Sequence, residues 1–295
     1  MKTEKFILIF IDGLGLGPNN SNNPLGLAKM PTIHNLVGGV LDDTVNKYGR
    51  RVICKGIDAT LGVPGIPQSA TGQTALFTGI NAAEYLGYHL PAFPNDALVG
   101  LIQQHSVLKQ ISDQGLKGCF ANAYRTEHFQ TTNSHSVTTH CMLAANLPFL
   151  FIDDLLAQQA VYWDITNVYL HQEYDESIPV ISPYSAGRNL RQIATHHHLT
   201  IFECFESDLI GHKKDHEKAI LFLEKLDEFL LGVLEDLPDD TTVILTSDHG
   251  NIEQLDHGSH TLNPVPLLLI GEQCAAFSDA QSIMDIVPIM SSVLQ

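Results

Sequence analysis

Acids and imidazoles recur in short clusters along this chain, and each cluster stands where an apolar run stops or starts. Asp12 follows "FILIFI", and Asp208 and His212 lie in "ESDLIGHKKDH" after "LTIFECF". Asp248 and His249 follow "TVILTS" within "SDHGN", and His257 and His260 lie in "HGSHTLNPVP" just before "VPLLLI". Carboxylates mixed with neutral imidazoles suit zinc or manganese, and a donor set without thiolates fits a catalytic site better than a structural one. Each cluster alone has a plain alternative. Asp, Gly and Asn build ordinary turns, the spacing of Asp208 and His212 arises often by chance, and His257 reads as a surface residue. Recurrence at equivalent positions is what points to a metal centre.

A metal centre needs a reacting group. "GVPGIPQSATGQTALFTG" (62–79) is a Gly/Pro-rich turn leading into Ser69, with a helical pattern from Ala70. Serine there is a favoured N-cap. Beside metals the same hydroxyl becomes a nucleophile, because a cation holds it as the alkoxide and a helix end favours negative charge. Thr71 is the competing nucleophile. Asn122, Tyr124 and Arg125 follow a predicted strand and are candidates to bind substrate oxygens; a polar loop is the equal alternative. Glu203 and Glu206 flank a metal motif without being ligands. Arg188 and Arg191 read as a solvated helix face, and "HHH" at 196–198 as a solvated loop.

The runs at 6–11, 118–123, 199–205, 242–247 and 265–270 predict strands buried on both faces, which suits a mostly parallel sheet. Residues 215–236 predict an amphipathic helix with Leu223, Leu226, Leu230 and Val233 on one face and Asp215 as N-cap. Residues 97–115 predict one further helix closing at Gly115. Residues 138–161 predict helix up to Pro148 and helix again beyond it; 176–194 predict a short strand and then a helix after Pro183. The expected architecture is α/β, a three-layer αβα sandwich forming one domain over 1–295, with a small subdomain within 124–198. In such sheets ligands bind beyond the carboxyl ends of the strands, where most of these clusters fall.

A net charge of −17 argues against nonspecific nucleic-acid binding, and a phosphorylated substrate would need local cations to overcome it. The five cysteines are odd in number and form no CxxC pair, which argues against a disulfide framework or a cysteine zinc site and fits a cytoplasmic location. "MKTEKFILIFIDG" places lysines before an apolar run, but the run is short, ends in Asp12 and lacks a small-residue cleavage site, so it reads as a first strand. No apolar stretch reaches the ~18 residues that span a membrane.

The motifs resemble the alkaline phosphatase superfamily, in the branch of cofactor-independent phosphoglycerate mutase and phosphopentomutase. The resemblance runs from "FIDGLGLG" to "HTLNPVP", weakest in the middle. "DLIGH" matches the aspartate-three-residues-histidine signature, "DHGN" stands intact at 248–251, "SHTLNPVP" resembles the third histidine motif and "QSATGQ" the nucleophile loop. The resemblance implies two divalent ions (zinc or manganese, with magnesium possible). One would be held by Asp208, His212 and His260, the other by Asp12, Asp248, His249 and Ser69. It also implies a small phosphorylated substrate and a phosphoseryl intermediate on Ser69. Two departures stand out. Gln68 and Gln73 replace other polar residues, and the large cap domain that mutases insert after the nucleophile helix is missing. A cap keeps water from the phosphoryl group, so a hydrolase is expected ahead of a mutase with a reduced cap built from 124–198. A noncatalytic metal-binding protein comes third, because the ligand set and the serine are intact.

Overall fold

The computed structural model describes residues 4–127 and 134–295. Residues 1–3 of the N-terminal stretch and 128–133 of the middle segment lie outside the described residues. Seven strands form the central sheet: β1 (Lys5–Ile11), β2 (Asn46–Tyr48), β3 (Val52–Ile57), β4 (Gly118–Phe120), β7 (Leu199–Cys204), β8 (Thr241–Thr246) and β9 (Val265–Ile270). Their order is β2-β3-β9-β8-β1-β7-β4. β1 lies parallel between β7 and β8, and β4 runs parallel to β7. β9 runs antiparallel to β8 and β3, and β2 antiparallel to β3.

The continuous apolar runs have the expected cause. Along β1, Phe6, Leu8 and Phe10 enter the core on one face while Ile7, Ile9 and Ile11 enter the core on the other. The first face is covered by α2 (Ser69–Thr78), α3 (Asp96–His105), α4 (Val107–Asp113), α5 (Val137–Ala144) and α9 (Ile286–Leu294). The second is covered by α1 (Pro31–Val37), α6 (Pro183–Ala194) and α8 (His216–Leu234). α7 (Glu206–Lys213) follows β7 and carries the Asp208 motif. The result is the expected three-layer α/β sandwich.

Several local expectations are corrected. Residues 97–115 form two helices, α3 and α4, because Ser106 adopts an extended conformation (φ −60°, ψ 142°) and ends one helix while opening the next. The run 118–123 splits into β4 and a short β5 (Ala123–Tyr124), which pairs with β6 (Leu150–Phe151) outside the main sheet. Residues beyond Pro148 therefore enter a strand before the helical turn Ile152–Leu156. Residues 176–182 form no strand among the described residues; Ser182 instead caps α6, accepting from the Ser185 N–H. Asp215 caps α8 as expected, accepting from the Lys218 N–H. A separate apolar cluster, with Ala123, Leu155, Tyr162, Leu170 and Ile178, lies beside β5 and β6. No helix among the described residues is long and apolar enough to cross a membrane.

α6 and α8 cross at unusually close range. A Cβ on Gly187 would sit 2.1 Å from the Phe229 carbonyl oxygen, and one on Gly232 would sit 2.1 Å from that of Tyr184. Only glycines let these two backbones meet.

Candidate metal centre

β1, β7 and β8 point their carboxyl ends the same way, so Asp12, the start of α7 and the Asp248–His249 turn share one edge. His260 precedes a strand rather than following one. It reaches this edge because β9 is antiparallel, which places its start beside the carboxyl end of β8. α2 brings Ser69 in from the first face. Its Gly72 permits the approach, since a Cβ there would lie 2.8 Å from the Asp248 carbonyl oxygen.

All seven residues implied as ligands meet in one connected cluster. His249 Nε2 lies 3.3 Å from Asp12 Oδ1, 3.6 Å from Asp248 Oδ2 and 3.1 Å from Ser69 Oγ. His260 Nε2 lies 3.4 Å from Asp208 Oδ1 and 3.2 Å from His212 Nε2, which is itself 3.2 Å from Asp208 Oδ2. The His249 and His260 rings stack with centroids 3.6 Å apart and join the two halves. Asp12, Asp248 and His249 bring one donor atom each to within 4.8 Å of one another, as do Asp208, His249 and His260.

The backbone fixes where each imidazole proton sits. Nδ1 of His249 donates to the Gly250 carbonyl (3.4 Å), Nδ1 of His212 to the Gly258 carbonyl (3.0 Å) and Nδ1 of His260 to the Pro67 carbonyl (2.9 Å). All three Nε2 lone pairs therefore face the cluster, the arrangement by which histidines are oriented toward metals. Asp12 Oδ1 and both carboxylate oxygens of Asp248 are buried without a hydrogen-bond partner among the described residues. Orphaned carboxylate oxygens beside convergent lone pairs are unfavourable unless a cation lies between them. The donor set fits divalent metal ions.

The electrostatics follow from the same crowding. Burial, then the carboxylates of Asp248 and Asp208, push Asp12 well above the ordinary range. Burial and then Asp208 push Asp248 up to about 7. Burial drives His249 down to about 3. Burial opposes the charge on His260, yet its bond to Asp208 raises its pKa overall. Burial likewise opposes the charge on Asp208, but His260 holds that carboxyl down at about 2.

Ser69 is the first residue of α2 rather than its cap, which is Gln68, and its hydroxyl points at His249. Thr71 is buried, its hydroxyl donating to the Gln68 carbonyl and accepting from the Leu90 N–H. Both partners are backbone groups, whereas the Ser69 hydroxyl meets His249. The three expected substrate contacts have other partners among the described residues. The Asn122 amide bonds the backbone of Glu203 on both sides (2.7 and 2.9 Å), stitching β4 to β7. The Tyr124 hydroxyl meets Thr139, and Arg125 lies over the Tyr174 ring. Arg188 faces Glu235 at the surface, and His198 accepts from the Lys117 N–H. Glu206 pairs with Lys225. Glu203 is buried, receives the Thr138 hydroxyl at 2.7 Å and is pushed up to about 7 by burial.

Three further residues support the cluster. Gln73 Nε2 donates to Asp12 Oδ2 (3.1 Å), and Asn251 Nδ2 to Asp208 Oδ1 (2.7 Å). Glu253, almost wholly buried, accepts from the N–H groups of Gly15 and Asn251, the Thr261 hydroxyl and the Asn263 amide. It ties the turn after β8 to the loop that delivers His260. Asn251 belongs to the "DHGN" motif; no spacing marks Glu253, whose partners lie on three separate loops.

Comparison with known proteins agrees with this fold. Over 94 residues the chain is 33% identical to the 2,3-bisphosphoglycerate-independent phosphoglycerate mutase of Vibrio atlanticus, a stretch covering 29% of this chain and 18% of that protein. The fold matches protein PH0037 from Pyrococcus horikoshii, with a TM-score of 0.63 at 15% identity, covering 100% of this chain and 97% of that one. It also matches the alkaline phosphatase of the Antarctic bacterium TAB5, with a TM-score of 0.57 at 14% identity and 99% of both chains covered. The family model for the metalloenzyme superfamily matches residues 4–292. Nearly the whole chain is thus accounted for by one family, and this protein belongs to the metalloenzyme superfamily.

Proposed function

We propose that the protein is a two-metal phosphohydrolase acting on a small phosphorylated molecule through Ser69. The observation that carries this reading is the convergence of three Nε2 lone pairs and the Asp12, Asp208 and Asp248 carboxylates around a serine hydroxyl at the start of a helix. Asp12, Asp248, His249 and Ser69 would hold one divalent ion, and Asp208, His212 and His260 the other, zinc or manganese on the donor chemistry. Such ions supply acidification of the serine hydroxyl and screening of the phosphoryl and leaving-group oxygens.

The remaining work falls to the chain. Ser69 Oγ attacks phosphorus in line, the bond to the leaving oxygen breaks, and water then releases phosphate from the phosphoserine. The unpaired N–H groups at the start of α2 face the phosphoryl oxygens and favour their charge. Gln73 and Asn251 hold Asp12 and Asp208 in place. Hydrolysis is preferred to mutation because the 38 residues from Ile80 to Lys117 carry only the helical turn Ala82–Leu86 and helices α3 and α4, packed on the core. No large cap is available there to keep water out. We read the cluster around β5 and β6 as a small subdomain of a single domain.

The test is wild type beside Ser69→Ala, purified without chelator. Two metals per chain, with phosphate release from a panel of esters abolished in the variant, is the expected result. Isomerised sugar phosphate without free phosphate would move the reading to a mutase, and a metal-free chain after supplementation would overturn it.

A further inference from the structure

Between the loop that leads to Ser69 and the loop that leads to β9 lies a cavity of about 350 Å³, and His260 forms part of its wall. That volume suits a small molecule. Ile66, three residues before Ser69, and Leu262, two after His260, face it from opposite loops. They are 42% and 63% exposed, so both offer apolar surface without a partner. The other groups facing the cavity include Gln254, His257 and Ser259. Asn263 and Thr261 also line it, but their polar atoms are turned to Glu253.

Among the described residues no lysine or arginine lines this cavity. Fixed negative charges stand beside its wall: Glu253, which bonds Thr261 and Asn263, and Asp256, whose carboxylate lies 3.8 Å from His257 Nε2. Lys214 is close to the loop, with its Cγ 3.8 Å from where a Cβ on Gly258 would stand, but it is exposed and outside the lining. The metal cluster has no charge to spare either. Asp12, Asp208, Asp248 and a Ser69 alkoxide would together balance the charge of two divalent ions. A second anion on the substrate would enter a neutral, half-apolar space without a counter-charge, on a chain of net charge −17.

We propose that this cavity receives the leaving group, and that it selects phosphate esters of uncharged alcohols with an apolar face over esters that carry a carboxylate or a second phosphate. The inference rests on the phosphohydrolase reading for the phosphoryl half of the substrate.

Binding of stable phosphonates tests it apart from turnover. Phenylphosphonate and 4-carboxyphenylphosphonate, which differ only by the carboxylate, are titrated calorimetrically into the metal-loaded protein. Phenylphosphonate should bind at least about tenfold more tightly. Leu262→Lys, at an exposed position that does not threaten the fold, should narrow the gap to about threefold or less by supplying the missing cation. Lys214→Ala should leave it unchanged. Equal or tighter binding of the carboxylated compound, or its selective loss in Lys214→Ala, would overturn the inference. If neither phosphonate binds, both this inference and the phosphohydrolase reading fall. If the preference stands but no ester releases phosphate, the pocket is supported and the hydrolase reading alone is lost.

Discussion

Each imidazole in the cluster has its proton placed by a backbone carbonyl, so the donors are aimed before any ion arrives. Removing a carboxylate should therefore remove a metal and leave the shape. Asp248→Ala is expected to drop metal content from two to one per chain by elemental mass spectrometry. Turnover should fall on the order of a thousandfold, the scale of a lost electrostatic stabiliser, with the circular dichroism spectrum unchanged. Asn251→Ala acts one step further out: freeing Asp208 from its amide should weaken one metal by about 10- to 100-fold in a chelator competition. These two residues also mark how far the site could be read from the chain. Asp12, Asp208, His212, Asp248, His249 and His260 announce themselves by type and place, since only such side chains bind hard and borderline cations. Gln73 and Glu253 do not, because their roles depend on partners 61 residues away in one case and on several loops in the other. The bonds of the Asn122 amide to the Glu203 backbone were silent for the same reason, since their partner is a strand 81 residues away.

At the scale of elements, the apolar runs were sufficient to find the buried strands, because burial on both faces leaves a plain record. β2 and β3 were hidden by Lys47, Arg50, Arg51 and Lys55, whose charges break the pattern although Lys55 is nearly buried and its ammonium reaches the Ser278 carbonyl. The direction of β9 left no record in its own residues, yet the histidines before it make sense only if it is antiparallel. The break at Ser106 was also silent, since its neighbours keep an unbroken helical pattern. The crossing of α6 and α8 yields a test far from the metals. Gly232→Ala must separate two backbones already in contact, so its denaturation midpoint should correspond to a loss of ~1–3 kcal/mol or more. Metal content per folded chain should not change; a midpoint equal to wild type would refute the close crossing.

For the molecule as a whole, the buried cluster couples stability to pH and metal. In the metal-free protein Asp12 is raised, and Asp248 and Glu203 are each raised to about 7, so their contribution is present at low pH and lost as pH rises through that value. His249, lowered from 6.5 to about 3, contributes in the opposite sense, but only as pH falls below 6.5. Above that point His260, whose pKa is raised, acts in the same sense as the carboxylates. The chelated protein should therefore melt at a lower temperature at about pH 8 than at about pH 6.5, and added metal should raise the melting temperature more at the higher pH. A flat profile would show that the carboxylates are not crowded as described. The antiparallel course of β9 has a consequence in time as well as in space. On the ribosome, the chain exposes Asp12, Ser69, Asp208, His212, Asp248 and His249 in turn, but His260 reaches its place only once the last long strand has docked beside β8. A nascent chain therefore cannot bring His260 to the cluster until β9 has been made and paired, after β1, β7 and β8 are already out.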